Sequence, residues 1–154
     1  MEERLVRAFS TSAEQTFNDM FGLKAKAEAP ILLVEADDHG WDITGLVGLA
    51  GQGHGVVAVR LTTEFVGRLL AGTGVESGGD GERRELEGGL VGELTNIIAG
   101  KATSLLEGLD IEIAPPVVIR GPNHRIGWPG IAPVIKLAFS LQGGAFEVDL
   151  CMKI

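Results

Sequence analysis

The sequence predicts an α+β fold: two pseudo-repeated helix–hairpin halves sharing one mostly antiparallel sheet, with long helices packed on one face. Three observations predict it. Two stretches alternate apolar and polar residues on both sides of a glycine-bearing turn. Two other stretches repeat apolar residues at helical spacing, and each helix precedes one hairpin.

The elements follow in order. Over residues 2–21, Leu5, Val6, Phe9, Ala13, Phe17, Met20 and Phe21 share one helical face, and Gly22 suits a helix C-cap. ILLVEAD (31–37) reads as a strand. Residues 43–51 and 55–61 read as a hairpin closed by Gly51-Gln52-Gly53-His54-Gly55. Thr62 and Thr63 offer N-caps for a short helix from Glu64 to Leu70. The run 72–81 has a loop composition, and a long helix is expected over about 82–107, with Leu86, Leu90, Leu94, Ile97, Ile98, Leu105 and Leu106 on its apolar face. Gly108 ends it. Five of the six prolines fall between Pro115 and Pro133, which predicts loop with a short strand at 117–119. The final hairpin, 134–141 and 145–154, turns at Gln142-Gly143-Gly144. Its last strand, with one apolar face, is expected to need cover as a sheet edge.

The two halves resemble one another in text. Glu14-Gln15-Thr16 parallels Glu93-Leu94-Thr95, and the segment from Gln52 lies over the segment from Gln142 with one gap. The competing explanation is that any two helix–hairpin units look alike.

Composition bounds the function. A chain of 154 residues, 45% hydrophobic and 22% charged, fits one domain, 1–154, with a real core. The lone cysteine, Cys151, excludes an intrachain disulfide. MEERLVRAF lacks the apolar run of a leader, and no apolar stretch nears the roughly 20 residues that span a bilayer. A cytoplasmic location is therefore expected. The net charge of −8, from 13 basic and 21 acidic residues, argues against nucleic acid or an anionic membrane as partner. His39, His54 and His124 have no metal-ligand spacing, and the Gly51–Gly55 run lacks a phosphate-loop lysine. Asp37-Asp38 reads as a solvated turn, Cys151 as an unreactive thiol, and Trp128 as a loop anchor.

The chemistry is carried by the segment 88–100, GGLVGELTNIIAG. At about 100° per residue, Glu93 and Asn96 are neighbours on a helix surface, with Gly89, Gly100, Thr103 and Glu107 on the same side. Gly88, Gly89, Gly92 and Gly100 each weaken a helix by about 1 kcal/mol relative to alanine. Either a partner docks closely against this face, or the glycines pack against a neighbouring element of the same chain.

GELTNIIAGKATSLL (92–106) resembles the E-x-x-N helix of the CheC/CheX/FliY family of chemotaxis phosphatases. The resemblance extends to WDITGLVGLAGQGHGVVAVRLT (41–62) and to the proline-bearing segment. It implies a catalytic pair. Asn96 would orient water at the aspartyl phosphate of a CheY-like response regulator, and Glu93 would pair with a lysine of that regulator. Mg²⁺ would belong to the partner's active site, with no cofactor or metal held by this chain. The matching place in the first helix reads Glu14-Gln15-Thr16-Phe17, without an amide. A single site implies the CheX type and a homodimer. The family often has Asp or Ser where Gly89 stands, and its downstream proline would be Pro115, Pro116 or Pro122. Two rivals remain: a docking module that hydrolyses nothing, and a small-molecule hydrolase pairing Glu93 with Glu107 in a concave pocket.

Overall fold

The computed structural model describes residues 2–35, 38–76 and 78–154. Helix α1 spans Glu2–Phe21 and buries Leu5, Ala8, Phe9, Ala13 and Phe17 along one stripe. Gly22 ends it at φ +67°, a left-handed conformation that glycine adopts without strain. There the Gly22 N–H bonds the Asn18 carbonyl at 2.9 Å and the Leu23 N–H bonds the Phe17 carbonyl at 3.3 Å. Two short strands follow, β1 (Lys26–Ala27) and β2 (Ile31–Leu32). The first hairpin is β3 (Ile43–Gly51) and β4 (His54–Leu61).

Helix α2 (Thr63–Gly72) starts on Thr62, whose hydroxyl accepts the Phe65 N–H at 3.1 Å. Thr62→Ala is expected to cost about 1 kcal/mol, read as a lower urea midpoint at unchanged slope. Helix α3 spans Asp80–Leu105. The chain then forms β5 (Ile111–Ile113), β6 (Val117–Arg120), β7 (Ile135–Leu141) and β8 (Gly144–Lys153).

All strand pairs are antiparallel, in the order β1-β7-β8-β4-β3-β5, with β2 also on β7 and β6 also on β3. The two hairpins meet at β4 and β8, so the halves join at the sheet centre. Each pair of short strands covers the outer strand of the other half's hairpin. One sheet face, carrying Ile43, Val47, Val57, Val59, Leu137, Phe139, Phe146, Val148 and Leu150, forms the core with the helices. The repeat extends to side chains. Thr16 Oγ1 donates to the Ser12 carbonyl and Thr95 Oγ1 to the Val91 carbonyl, each at 2.7 Å.

Several expectations need correction. Among the described residues of the strand expected over 31–37, ladder pairing is confined to Ile31 and Leu32, with one further bond from the Leu33 N–H to the Val134 carbonyl at 3.0 Å, and β7 itself begins at Ile135. Ile31, Leu32 and Val34 are exposed, and Asp37 lies outside the described residues. Strand β8 is no edge, since β7 and β4 flank it. The apolar face of α3 differs too: Leu105 is exposed, and Leu86, Leu90 and Ile97 are half-buried. The helix instead buries Glu87, Val91, Gly92, Leu94, Thr95, Ile98, Ala99 and Ala102; the small ones among them, Gly92, Ala99 and Ala102, let neighbouring elements approach closely.

The far side of the sheet is buried as well, and it is polar. Arg60 is 1% exposed, Glu147 2% and Asp149 0%. Arg60 Nη1 lies 3.2 Å from Glu35 Oε1 and 3.7 Å from Asp149 Oδ2, and its Nη2 donates to the His124 carbonyl at 3.2 Å. Lys136 Nζ pairs with Glu147 at 3.4 Å. His39 Nδ1 accepts the Trp41 N–H at 3.0 Å, which leaves Nε2 to donate to the His124 carbonyl at 2.9 Å. Cys151 Sγ donates to the carbonyls of Pro129 and Ala132, so the proline-rich segment lies over this face. Burial, then the carboxyl of Glu147 beside it, pushes the Asp149 carboxyl up to about 9.

Candidate functional site

The site is built on the contact of α3 with β3. Gly45 stands where the helix crosses the sheet. A Cβ there would overlap Thr95 Oγ1 and come within 2.9 Å of the Thr95 Cβ and 3.2 Å of the Val91 carbonyl. Thr95, fully buried, thus points at the sheet. Glu93 and Asn96, on the opposite half of the wheel, are both exposed. Gly45→Ala is expected to destabilise the fold by about 1–3 kcal/mol through overpacking, with partial recovery in the Gly45→Ala/Thr95→Ala double variant, both read by urea unfolding.

The helix glycines divide between the two readings of the sequence. A Cβ on Gly88 would meet Arg120 Nη2 at 3.6 Å, one on Gly92 would meet Val118 and Pro116 at 3.6 and 3.7 Å, and one on Gly100 would meet Ile113 at 3.9 Å. Those three face the chain's own strands at ordinary contact distance. Gly89, one turn before Glu93, is exposed with nothing within 4 Å of such a Cβ. The flank of α3 along β6 carries Pro115, Pro116 and Val117, all exposed. Pro116 is the proline against the motif helix, at Gly92.

The other candidates lie elsewhere. Glu107 is past the end of α3, in a groove with Glu3, Arg4 and Arg7 that does not include Glu93, and Arg4 donates to its carbonyl. Phe17, at the place matching Asn96, is fully buried and stacks on Phe146 at 4.1 Å and Phe65 at 6.5 Å. His39 and His124 belong to the polar network behind the sheet, and His54 is exposed at the start of β4. Among the described residues, no group of three or more His, Cys, Asp or Glu side chains is arranged to hold a metal ion. None of the described helices is long and apolar enough to cross a membrane. Sequence reasoning missed Gly45 and Arg120; a glycine inside an alternating strand is the signal that marks the first.

A doubly hairpinned antiparallel sheet with helices packed on one face is the architecture of solved CheX chemotaxis proteins. The family model for chemotaxis phosphatase CheX matches residues 43–140, well over half of the chain. The chain belongs to the CheX family. Among solved structures, it is 25% identical to the chemotaxis protein CheX from Desulfovibrio desulfuricans, at TM-score 0.82, over 97% of this chain and 99% of that one. It is 27% identical to CheX from Vibrio vulnificus, with the same TM-score and the same coverage. The CheX–CheY–BeF₃–Mg²⁺ complex from Borrelia burgdorferi is similar at 24% identity and TM-score 0.80, over 97% of each chain. No curated protein matches the chain in sequence.

Proposed function

We propose that this chain removes the phosphoryl group from the aspartyl phosphate of a CheY-like response regulator, using α3 as the inserted element. The observation that carries the reading is the paired exposure of Glu93 and Asn96 on a convex helix, with Gly89 open beside them. An exposed helix face of that kind fits into a partner's cleft.

The roles follow from chemistry. The Asn96 carboxamide accepts a hydrogen bond from water and holds it in line with phosphorus. The water oxygen–phosphorus bond forms, the aspartyl oxygen–phosphorus bond breaks, and the products are the regulator's carboxylate and inorganic phosphate. Glu93 pairs with a lysine beside that aspartate. Little covalent work is asked of this chain, since positioning and electrostatics dominate phosphoryl transfer. Mg²⁺ belongs to the regulator in this reading; the Borrelia complex holds Mg²⁺ and BeF₃ together with CheX and CheY. We further read residues 1–154 as one CheX-like domain, acting in the cytoplasm as a homodimer.

The test is the decay of ³²P-labelled aspartyl phosphate on a CheY-like regulator from the same organism, with this protein substoichiometric. Acceleration of roughly tenfold or more is expected. Unchanged decay with every regulator of the organism overturns the catalytic reading, and retained binding would leave a docking module.

A further inference from the structure

We propose that Arg120 is a positioning residue for α3: with Glu87 it sets the roll of the helix that presents Glu93 and Asn96. The inference rests on the phosphatase reading above for its kinetic consequence, but the clamp itself is a feature of this chain alone.

Glu87 lies on α3 less than two turns before Glu93 and is 7% exposed. Its Oε1 takes Arg120 Nη1 at 3.3 Å, and its Oε2 takes Arg83 Nε at 3.6 Å. Arg120 closes β6, and its Nη2 also donates to the Arg84 carbonyl and passes over Gly88. Arg83 extends across α2 at Gly67, where a Cβ would stand 2.7 Å from its Nη2. One buried carboxylate therefore ties α3 to β6 and, through Arg83, to α2.

The helix needs such a tie here. Gly81, Gly88, Gly89 and Gly92 are weak helix formers, so tertiary contacts must hold this stretch. The Glu87–Arg120 pair anchors the helix before Glu93, and Thr95 on Gly45 anchors it after. A roll of about 20° moves a side-chain tip some 6 Å from the axis by about 2 Å. Misplacement on that scale costs a positioned catalyst about tenfold or more.

Arg120→Ala is expected to lower kcat about tenfold at saturating phosphorylated regulator, with KM within about threefold and the protein still folded at assay temperature. Arg120→Lys should restore part of kcat, because an ammonium can pair with Glu87 but cannot also span to the Arg84 carbonyl. An unchanged kcat in folded Arg120→Ala overturns the proposal. Should that variant not fold, Glu87→Gln, which keeps the shape and removes the charge, decides by the same criterion. Inactivity of the unaltered protein would sink the phosphatase reading and not this one. In that case amide hydrogen exchange over residues 88–96, measured on the protein alone, decides: exchange about tenfold faster in Arg120→Ala supports the clamp, and unchanged exchange refutes it.

Discussion

Asn96→Ala is expected to slow dephosphorylation of the regulator by about 10²-fold or more, while affinity for the beryllofluoride-loaded regulator stays within about threefold. Asn96 is exposed, so its truncation changes stability by no more than about 0.5 kcal/mol, and a lost rate cannot be blamed on unfolding. An amide that orients the attacking water acts in the transition state; removing it lowers kcat and spares binding. Glu93→Ala should show the opposite split. A lysine pair made equally in ground and transition states raises KM, by about tenfold for one charged contact, with kcat largely kept. Asn96→Ala decaying phosphate at the unaltered rate would remove Asn96 from the mechanism. Gly89→Ser adds a hydroxyl in open space one turn before Glu93 and reports whether that gap touches the partner.

The second large effect concerns stability. Asp149 is fully buried, faces Glu147, Arg60 and Lys136, and carries a carboxyl raised from 3.8 to about 9. The raised value means that the fold holds this proton more tightly than the unfolded chain does. Its contribution to stability is complete below pH 3.8 and is lost as pH rises through about 9. With Asp149 protonated, Arg60 pairs with Glu35 and Lys136 with Glu147, and the charges balance. With it ionised, neither of its oxygens has a hydrogen-bond donor. Asp149→Asn is neutral at every pH. It is therefore expected to stabilise the protein by about 1–4 kcal/mol at pH 8, raising Tm by several degrees, and to flatten the decline of Tm between pH 5 and 9.5. A variant whose Tm runs parallel to the unaltered protein across that range would refute the buried-proton account.

How much of this was legible depended on length and period. The hairpins at 43–61 and 135–153 alternate over enough residues to be read as hairpins, but their turns are shorter than expected, Gln52-Gly53 and Gln142-Gly143. The three helices were found within a few residues of their ends. Strands β1 and β5, of two and three residues, are too short to show any period. Alternation in β8 distinguished Phe146, Val148 and Leu150 from Glu147, Asp149 and Cys151, but it could not say that a proline-rich segment would bury the second set. The adjacency of Glu93 and Asn96 was readable from helical spacing alone, and their exposure is as expected. The clamp on Glu87 was not, because its partner Arg120 is distant in sequence and arrives through sheet pairing with β3.

The strand at the middle of the sheet also governs the order in which the molecule can be assembled. Strand β4 finds its inner neighbour only in β8, through pairs such as His54 with Lys153 and Arg60 with Glu147. Until β8 has been synthesised, the growing chain holds two separate half-sheets, with Val57, Val59 and Leu137 waiting for Val148 and Leu150. Closure over so long a loop is slow, and the waiting apolar faces are open to wrong partners. Late synthesis of the central strand thus leaves the apolar faces of both half-sheets without their middle neighbour until residues 144–153 have emerged.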